Sequence, residues 1–505
     1  MAFYFDFDYN VPVAFKKQME VIMKQSKKIV WYNLAFMAFS SMWSFGNIVN
    51  GFVYFNGIQV IFSWIMMFAL YLVPYTLMVG ELGSAFENAG GGVSSWIHET
   101  LGPKLAYYAG WTTWVVHMPY IASKSSAGLK ALSWVLFQDS SFYDSLDTWV
   151  VQLMTLVIFL VFAYIVSKGL NPLKSVATLA GSSLFIISLL FIVLMLAAPV
   201  INPQGGYQNI DWSLHSFIPE FRLEYFTSLS ILVFAVGGSD RMSPYVNKVE
   251  NPSKGFPKGM IALAIMVIVS AILGTVSMSM MFNMTDVQAN FDAYVANEAY
   301  WAFQKLGEYY GVGHLFLILY ALCTVVGQLS TLLIAIDAPI RMLLDNEDAR
   351  DFIPSKLFKR NKHGAYVNGI WLVVAIVTPL IMIPALGIGH VTTIIKQLTQ
   401  LNSVTMPLRF LWVFIAYIAL RQSMDKFPAE YRFTRNQKLA KFFGIWCLIV
   451  TLFSCAMGML KGSLFEIAMN ILTPVMLVGL GMIMPTLVKR QRNEGKSVEK
   501  IQENT

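Results

Sequence analysis

Charged residues are scarce in this 505-residue chain, and cysteine and histidine are scarcer still. Only 13% of the residues are Asp, Glu, Lys or Arg, whereas 56% are apolar, a balance that excludes a soluble globular protein. The three cysteines, Cys323, Cys447 and Cys455, fall within apolar segments, so neither a disulfide framework nor a CxxC metal or redox site is available. The six histidines are scattered along the chain. We therefore expect neither a metal nor a cofactor.

Enzyme motifs are also lacking. The chain contains no P-loop, HExxH or GxSxG sequence. Its largest hydrophilic loops, near 339–365 and 421–440, are roughly twenty residues of mixed charge, which is too short for a separate hydrophobic core. These absences predict that the protein is not an enzyme and that it works within a membrane.

Long apolar runs are what the chain has in abundance. A transmembrane helix needs ~20 predominantly apolar residues, and runs of about that length recur from residue 29 to residue 487. They predict an all-α membrane protein with twelve transmembrane helices, placed roughly at 29–50, 58–79, 105–136, 148–167, 174–200, 227–250, 258–282, 312–338, 366–386, 391–420, 440–460 and 462–487.

The basic residues indicate the orientation of these helices. Of the 36 Lys and Arg residues, 29 fall in segments that are cytoplasmic if both termini are inside, and three fall in outer loops. The net charge of +7 therefore reflects topology, and it predicts contact with a lipid bilayer but not with nucleic acid. Residues 1–28 have the pattern of an amphipathic helix on the inner surface.

Two of the apolar runs are interrupted by polar and small residues. The first contains SFGNIVNG (44–51), and the sixth contains FAVGGSD (234–240). Non-helical backbone at membrane depth is tolerated only where protein or a cavity surrounds it. Glycine pairs also serve helix packing, but two breaks five helices apart favour inverted repeats with a substrate site between them. Half-helix N-termini attract anionic groups and free carbonyls accept from cationic ones, so a zwitterion fits such a site.

Specific segments around these breaks resemble a known family. GELGSAFENAGGGVSSWIHETLGPKLAYYAGW (80–111), FGN in the first helix, the GGSD break and ENPSKGFPKG (250–259) are similar to the amino acid-polyamine-organocation (APC) superfamily, and most similar to its glutamate/γ-aminobutyrate antiporter family. The resemblance implies a LeuT-type 5+5 inverted repeat with discontinuous helices 1 and 6 and two additional C-terminal helices. The implied units are a cytoplasmic N-terminus (1–28), repeat 1 (29–200), an extracellular loop (201–226), repeat 2 (227–420), helices 11 and 12 (421–487) and a cytoplasmic tail (488–505).

The resemblance also implies a substrate site at the two breaks. The backbone amides of Gly46, Asn47 and Ile48 would bind the substrate carboxylate. The carbonyls that end the outer half of helix 6 would bind the α-ammonium; the residues concerned are Phe234, Ala235 and Val236, followed by the break at Gly237 and Gly238. Phe234 would also close over the substrate as a gate.

Asp240 matches the position of an acidic proton switch in these transporters. A carboxyl in a partly desolvated cavity favours its neutral form, which allows it to couple protonation to opening. The alternative is a structural acid that is paired with a cation, either the adjacent Arg241 or Lys124 of helix 3. A paired Asp240 would stay ionised, and the switch role would then be in doubt. Arg409, just after Pro407, is expected near the inner vestibule.

Other polar groups within the predicted helices are weaker candidates. Lys124 lies deep in helix 3 and is predicted to take part in gating or to contact an anionic group of the substrate. Gln328 in helix 8, with Asn402 and Ser403 in helix 10, lie on helices that line the site in members of the family. Such small polar residues also commonly bond neighbouring helices.

The favoured function is a secondary active transporter that exchanges one amino acid for another by alternating access. The alternatives are a proton- or sodium-coupled symporter and a transporter-like sensor. Members driven by protons place a lysine inside helix 5, but here Lys174 stands at its cytoplasmic start and Ser182 and Ser183 lie further in. The substrate would be an amino acid or its decarboxylated amine. We expect a monomer or homodimer in the bacterial inner membrane, with both termini cytoplasmic. The tail is predicted to be disordered rather than a plug.

Overall fold

The computed structural model describes residues 28–345, 350–386, 402–460 and 462–503, with the side chains of 402–404 and 494–503 excepted. Within those ranges the protein is all-α, as predicted, and no β-strand is found. This is the architecture that a lipid environment demands, because helices satisfy their own backbone hydrogen bonds. The predicted amphipathic helix at 1–28 lies, apart from Lys28, outside the described residues.

The N-terminal part of the chain, up to residue 201, is helical, and its first apolar run is interrupted after Met42. Its helices are α1 (Trp31–Met42), α2 (Phe45–Tyr54), α3 (Val60–Met67), α4 (Val73–Ala85), α5 (Val93–Leu101), α6 (Pro103–Phe137), α7 (Ser141–Ser145), α8 (Thr148–Val166) and α9 (Leu170–Ile201). A single π-helical turn, Phe68–Leu72, joins α3 to α4.

The remaining helices follow a long polar connection. They are α10 (Leu214–Phe217), α11 (Leu223–Val236), α12 (Pro252–Ser279), α13 (Met284–Ala289), α14 (Phe291–Tyr309), α15 (Leu315–Leu344), α16 (Val367–Met382), α17 (Asn402–Leu408), α18 (Phe410–Gln422), α19 (Gln437–Met459), α20 (Leu464–Leu480) and α21 (Ile483–Glu503). Short 3₁₀ segments occur at Gly57–Gln59, Ser239–Lys248, Ser355–Phe358 and Ile383–Leu386.

Eight helices of the described part are long and apolar enough to cross a membrane. They correspond to predicted spans 2, 4, 5, 7, 8, 9, 11 and 12, and their bounds are Gly57–Ala85, Thr148–Val166, Leu170–Ile201, Pro252–Ser279, Leu315–Leu344, Val367–Leu386, Gln437–Met459 and Leu464–Asn493. The protein is therefore a multi-pass membrane protein. Predicted spans 1, 6 and 10 are broken or only partly described, and span 3 corresponds to α6.

The first apolar run is broken between α1 and α2. Trp43 and Ser44 have extended backbones, with ψ of 144° and 167°. The side-chain amide of Asn47 donates to the carbonyl of Met42 at 3.1 Å, which satisfies an acceptor that the end of α1 leaves without a helical partner. The break lies at the start of the predicted SFGNIVNG interruption, because the glycines and asparagines after Ser44 continue as helix α2.

The sixth apolar run is broken at Gly237 and Gly238. Helix α11 ends at Val236, and a 3₁₀ helix, Ser239–Lys248, follows. Gly238 has a φ of +120°, a conformation that side chains disfavour. A Cβ atom on Gly237 would clash with the ring of Phe410, so the break places the end of α11 directly against the first residue of α18.

A substitution at Gly237 tests this close contact. Gly237→Ala is expected to lower the free energy of unfolding by about 1–3 kcal/mol, because the added methyl group overpacks against Phe410. The midpoint of thermal unfolding in detergent measures the loss. Gly479→Ala is the matched control, because no atom lies within 4 Å of a Cβ at this helical glycine. Equal midpoints for the two variants would contradict the packing described here.

Small residues allow the central helices to approach one another closely. Helix α6 packs along α15, and α9 packs against α1. Gly110 of α6 faces the carbonyl of Met342, with 2.8 Å between that oxygen and an added Cβ. Gly181 of α9 lies directly against the carbonyl of Phe36 and leaves no room for a side chain. These contacts bring α1, α6, α9 and α15 together around the two breaks.

The connection between α12 and α15 and the C-terminal tail are both helical. The connection between α12 and α15 is not a simple loop but contains α14, a 19-residue helix that packs on α2 and α15. The C-terminal tail, expected to be disordered, continues as a helix to Glu503. Its Lys, Arg, Glu and Gln residues are good helix formers, and Arg492 forms an exposed ion pair with Asp351 at 2.6 Å.

Candidate functional site

A cavity of ≈ 220 Å³ lies beside the break between α1 and α2. Residues of α1, α2, α6, α9, α11, α14 and α15 line it, together with Arg241 of the 3₁₀ helix. Pockets for drug-sized ligands are typically ~300–1,000 Å³. The size of this cavity therefore suits a small molecule such as an amino acid.

Five of the predicted site residues line this cavity, and one of them, Lys124, is described below. Gly46, Asn47 and Phe234 line it, and Gln328 lines it from α15. The side-chain oxygen of Gln328 has no hydrogen-bond partner among the described residues. The Asn47 amide donates to the carbonyl of Ser44 at 3.0 Å.

Asp240 and the other predicted site residues with described side chains lie outside the cavity lining. Ile48 is fully buried, with its side chain against Gly274. Ala235, Val236, Gly237 and Gly238 are buried at the end of α11. Asn402 and Ser403 begin α17, and their side chains lie outside the described part of the structure.

The last carbonyls of α1 are held by side chains from three other elements. Thr331 of α15 donates to the carbonyl of Ser40 at 2.8 Å. The guanidinium of Arg241 donates to the carbonyl of Ser41, and Asn47 donates to that of Met42. Because these donors occupy the end of α1, they fix the position of the half-helix that forms one wall of the cavity.

The partner of Asp240 is Arg409, which is a correction to both predicted alternatives. The Arg409 guanidinium contacts one carboxylate oxygen of Asp240, and the Tyr75 hydroxyl donates to the other at 2.6 Å. All three side chains are buried. Arg241 points elsewhere because successive residues of a 3₁₀ helix project about 120° apart. Arg409 reaches Asp240 from the interruption between α17 and α18, and not from an inner vestibule.

Arg241 and Lys124 instead face the cavity. Both side chains lie over the ring of Tyr120, with the Arg241 Cζ atom 5.1 Å and the Lys124 amine 5.2 Å from its centroid. Arg241 also donates to the Tyr120 hydroxyl at 3.3 Å, while its Nε has no partner among the described residues. The described lining contains these two cations and neither Asp nor Glu. The cavity is therefore electropositive.

Helix α9 presents no cation to the break in α1. Lys174 donates to the carbonyl of Lys28 at 2.8 Å and is exposed. The hydroxyls of Ser182 and Ser183 donate to carbonyls within α9, at 3.1 and 3.0 Å. Within the described ranges no group of three or more His, Cys, Asp and Glu residues is arranged to hold a metal ion.

Two further clusters of buried charge lie away from the cavity. Glu81, at the end of α4, pairs with Arg421 at 2.5 Å and accepts from the backbone of Phe433 at 2.9 Å. Asp337 of α15 accepts from Tyr245 at 2.8 Å and pairs with Arg341 at 2.7 Å. Both clusters lie on the side that the distribution of basic residues predicts to be cytoplasmic. They tie α4 to α18 and α15 to the 3₁₀ helix.

Several of these residues could not have been assigned from the sequence. Tyr75 has no local signal, because a tyrosine in an apolar run normally reads as packing. Arg409 is an intramembrane cation, and such residues usually have a functional or structural role. Its partner could not be predicted, because it depends on how α18 packs. The sequence predicts a positively charged cavity only as one alternative, in which Lys124 contacts an anionic group of the substrate.

The sequence matches a known protein family over most of its length. The sequence profile of the amino acid permease family matches residues 29–487. The aspartate/glutamate permease AcaP of Lactococcus lactis subsp. cremoris (strain MG1363) is 43% identical over 484 residues, which cover 94% of this chain and 98% of that protein. The inner membrane transporter YjeM of Escherichia coli (strain K12) is 23% identical over 79% of this chain and 84% of its own length.

An antiporter is also among the similar proteins. The glutamate/gamma-aminobutyrate antiporter of Lactococcus lactis subsp. lactis (strain IL1403) is 23% identical over 46% of this chain and 45% of its own length. These matches confirm the predicted resemblance and the prediction that the chain is a transporter and not an enzyme. The protein belongs to the amino acid permease family of the APC superfamily.

Proposed function

We propose that this amino acid permease transports acidic amino acids. The observation that carries the proposal is the charge of the cavity, whose described lining holds Arg241 and Lys124 and no carboxylate. Asp240, which would favour a cationic substrate, is engaged by Arg409. The printed name of the 43% identical relative, an aspartate/glutamate permease, supports the same substrate class.

The substrate would bind with its α-groups at the two breaks and its side chain at the cations. The N-terminal turn of α2, with Gly46, Asn47 and Ile48, would supply backbone amides and a positive dipole end to the α-carboxylate. The Asn47 amide would exchange its hydrogen bond to the Ser44 carbonyl for one to the substrate. The carbonyls of Phe234, Ala235 and Val236 receive the α-ammonium where Gly237 and Gly238 interrupt α11. The side-chain carboxylate then meets Arg241 and Lys124.

Residues flanking this position complete the proposed site. Phe234 closes over the substrate as a gate, a role supported by its place in the cavity wall. Gln328 offers a free amide oxygen to the ammonium. Asn402 and Ser403 remain proposed lining residues.

The proposed architecture has twelve spans. Two five-helix repeats, 29–200 and 227–420, are inverted with respect to one another, and helices 11 and 12 within 421–487 are added. The two breaks, five spans apart, support this arrangement. Residues 201–226 would be extracellular, and 1–28 and 488–505 cytoplasmic, in the bacterial inner membrane. The protein would be a monomer or homodimer.

The proposed mode of transport is exchange of one amino acid for another by alternating access. Support comes from the glutamate/gamma-aminobutyrate antiporter among the similar proteins and from Lys174, which stands at the start of α9 and donates to the carbonyl of Lys28. Proton- or sodium-coupled symport and a sensor without transport remain the alternatives.

Uptake into proteoliposomes tests substrate and mode together. Radiolabelled L-glutamate and L-aspartate are expected to enter vesicles loaded with unlabelled glutamate at least tenfold faster than they enter empty vesicles. Labelled lysine and putrescine are expected not to enter. Uptake into empty vesicles that requires an imposed proton or sodium gradient would replace exchange by symport. No uptake of any amino acid would contradict the transporter function.

A further inference from the structure

Glu298 is an ionisable residue near the cavity that has no role in the proposed binding mode. Glu298 lies on α14, whose residues Val295, Ala296, Ala299 and Tyr300 form one wall of the cavity. Its side chain is 0% exposed, and neither carboxyl oxygen has a hydrogen-bond partner among the described residues. A buried carboxylate without partners is strongly disfavoured.

Within the described ranges, no cation pairs with Glu298. The two lysines whose amines lie near α14 are engaged with backbone carbonyls: Lys130 lies 3.5 Å from that of Ala296, and Lys305 lies 2.9 Å from that of Met281. Burial alone raises the pKa of Glu298 to about 9. The carboxyl is therefore neutral at pH 7 in this conformation.

Apart from Lys130 of α6, the described elements packed against α14 offer only weakly acidic groups and one carboxylate. Helix α2 presents Tyr54, and the nearby part of α15 presents Tyr320 and Cys323. The end of α9 that faces α14 carries no ionisable side chain. Helix α13 carries Asp286, which accepts from the hydroxyl of Tyr294 of α14.

We infer that Glu298 is a proton-binding site that couples protonation to the opening of α14 over the cavity. When α14 covers the cavity, Glu298 is buried and holds a proton. When α14 moves outward and admits water, the carboxyl returns to an ordinary pKa of about 4.3 and releases that proton at pH 7. Opening thus releases one proton, and closure takes one up.

The sign of the pH dependence follows from this linkage. Between about pH 5 and about pH 9 the closed state binds one more proton than the open state, so each pH unit upward shifts the equilibrium about tenfold toward opening. The unfolded chain also exposes Glu298, so the native state loses stability as pH rises through the same window. Above the pKa that Glu298 has in the native state, this loss of stability no longer changes with pH.

Infrared spectroscopy of the full-length protein in lipid tests the proton site directly. Raising the pH from ~7 to ~10.5 is expected to remove a protonated-carboxyl band in wild type. The band change should persist in Glu308→Gln, an exposed residue of the same helix, and should be lost in Glu298→Gln. A band change of wild-type size in Glu298→Gln would overturn the proposal. Glu298→Met is the second variant, and failure of both neutral variants to fold would also overturn it.

Cysteine accessibility tests the coupling. In a Cys323→Ser background, Ala302→Cys, at a fully buried position of α14, is labelled with a membrane-impermeant maleimide between pH ~6 and ~8. Per pH unit, the labelling rate is expected to rise about tenfold more in the protein that keeps Glu298 than in the Glu298→Gln variant. The introduced thiol ionises in the same way in both proteins, so its own pH dependence cancels in the comparison. Equal pH slopes would overturn the coupling. Neither measurement uses a substrate, so both are independent of which amino acid is transported.

Discussion

Uptake of L-glutamate and L-aspartate is expected to weaken by roughly 10- to 150-fold when Arg241 is replaced by glutamine, because charge-assisted hydrogen bonds contribute about 1.5–3 kcal/mol each. The Arg241 guanidinium lies in the cavity wall with its Nε free, and Lys124 is the only other described cation there. The loss should appear mainly in KM for the acidic substrates, measured as initial rates in proteoliposomes.

Arg241 also holds the end of α1 through the carbonyl of Ser41, so loss of transport alone would not separate recognition from folding. The ratio of glutamate to glutamine uptake does separate them, because only the acidic substrate loses a charged partner. This ratio should collapse in Arg241→Gln and survive in part in Arg241→Lys, which keeps the charge but not the planar fork. Arg222→Gln, which removes an exposed cation from the outer connection, is the matched control. An unchanged ratio in Arg241→Gln would contradict the proposed role of the cation.

The hydropathy of the sequence predicts much of the fold because each span must be apolar over a fixed length. The limits of the eight candidate spans mostly differ from the predicted ones by a few residues. The breaks were also predictable, since glycine, asparagine and aspartate interrupt otherwise apolar runs. Helix α14 was not, because its charged and aromatic residues resemble a loop in any scan for membrane spans.

The contacts of the site were harder to predict than its location. Asp240 and Arg241 are neighbours in sequence, and only the 3₁₀ geometry after Gly238 sends one toward α4 and α18 and the other toward the cavity. Because Arg241 faces the cavity and Asp240 does not, the described lining is positively charged. Likewise, Glu298 gives no sequence signal, because its burial follows from how α14 packs on α2 and α15. Such outcomes depend on tertiary packing and not on local pattern.

The ion pair between Asp240 and Arg409 predicts the second large effect. Asp240→Asn is expected to lower the free energy of unfolding by about 3–5 kcal/mol, because it leaves the buried guanidinium of Arg409 without its counter-charge. Thermal unfolding of the purified variant measures this loss. The exposed pair of Glu220 and Arg222 is the control: Glu220→Gln should change stability by less than ~1 kcal/mol.

The double variant Asp240→Asn/Arg409→Met separates the pair from a proton switch. Removing both charges leaves no uncompensated ion, so most of the lost stability should return. If Asp240 serves only the ion pair, the double variant should also keep the pH dependence of wild-type uptake. If Asp240 is the proton switch, as the resemblance to the antiporters implies, that dependence should flatten although stability is restored. A double variant no more stable than Asp240→Asn would mean that Arg409 is not the residue that Asp240 compensates.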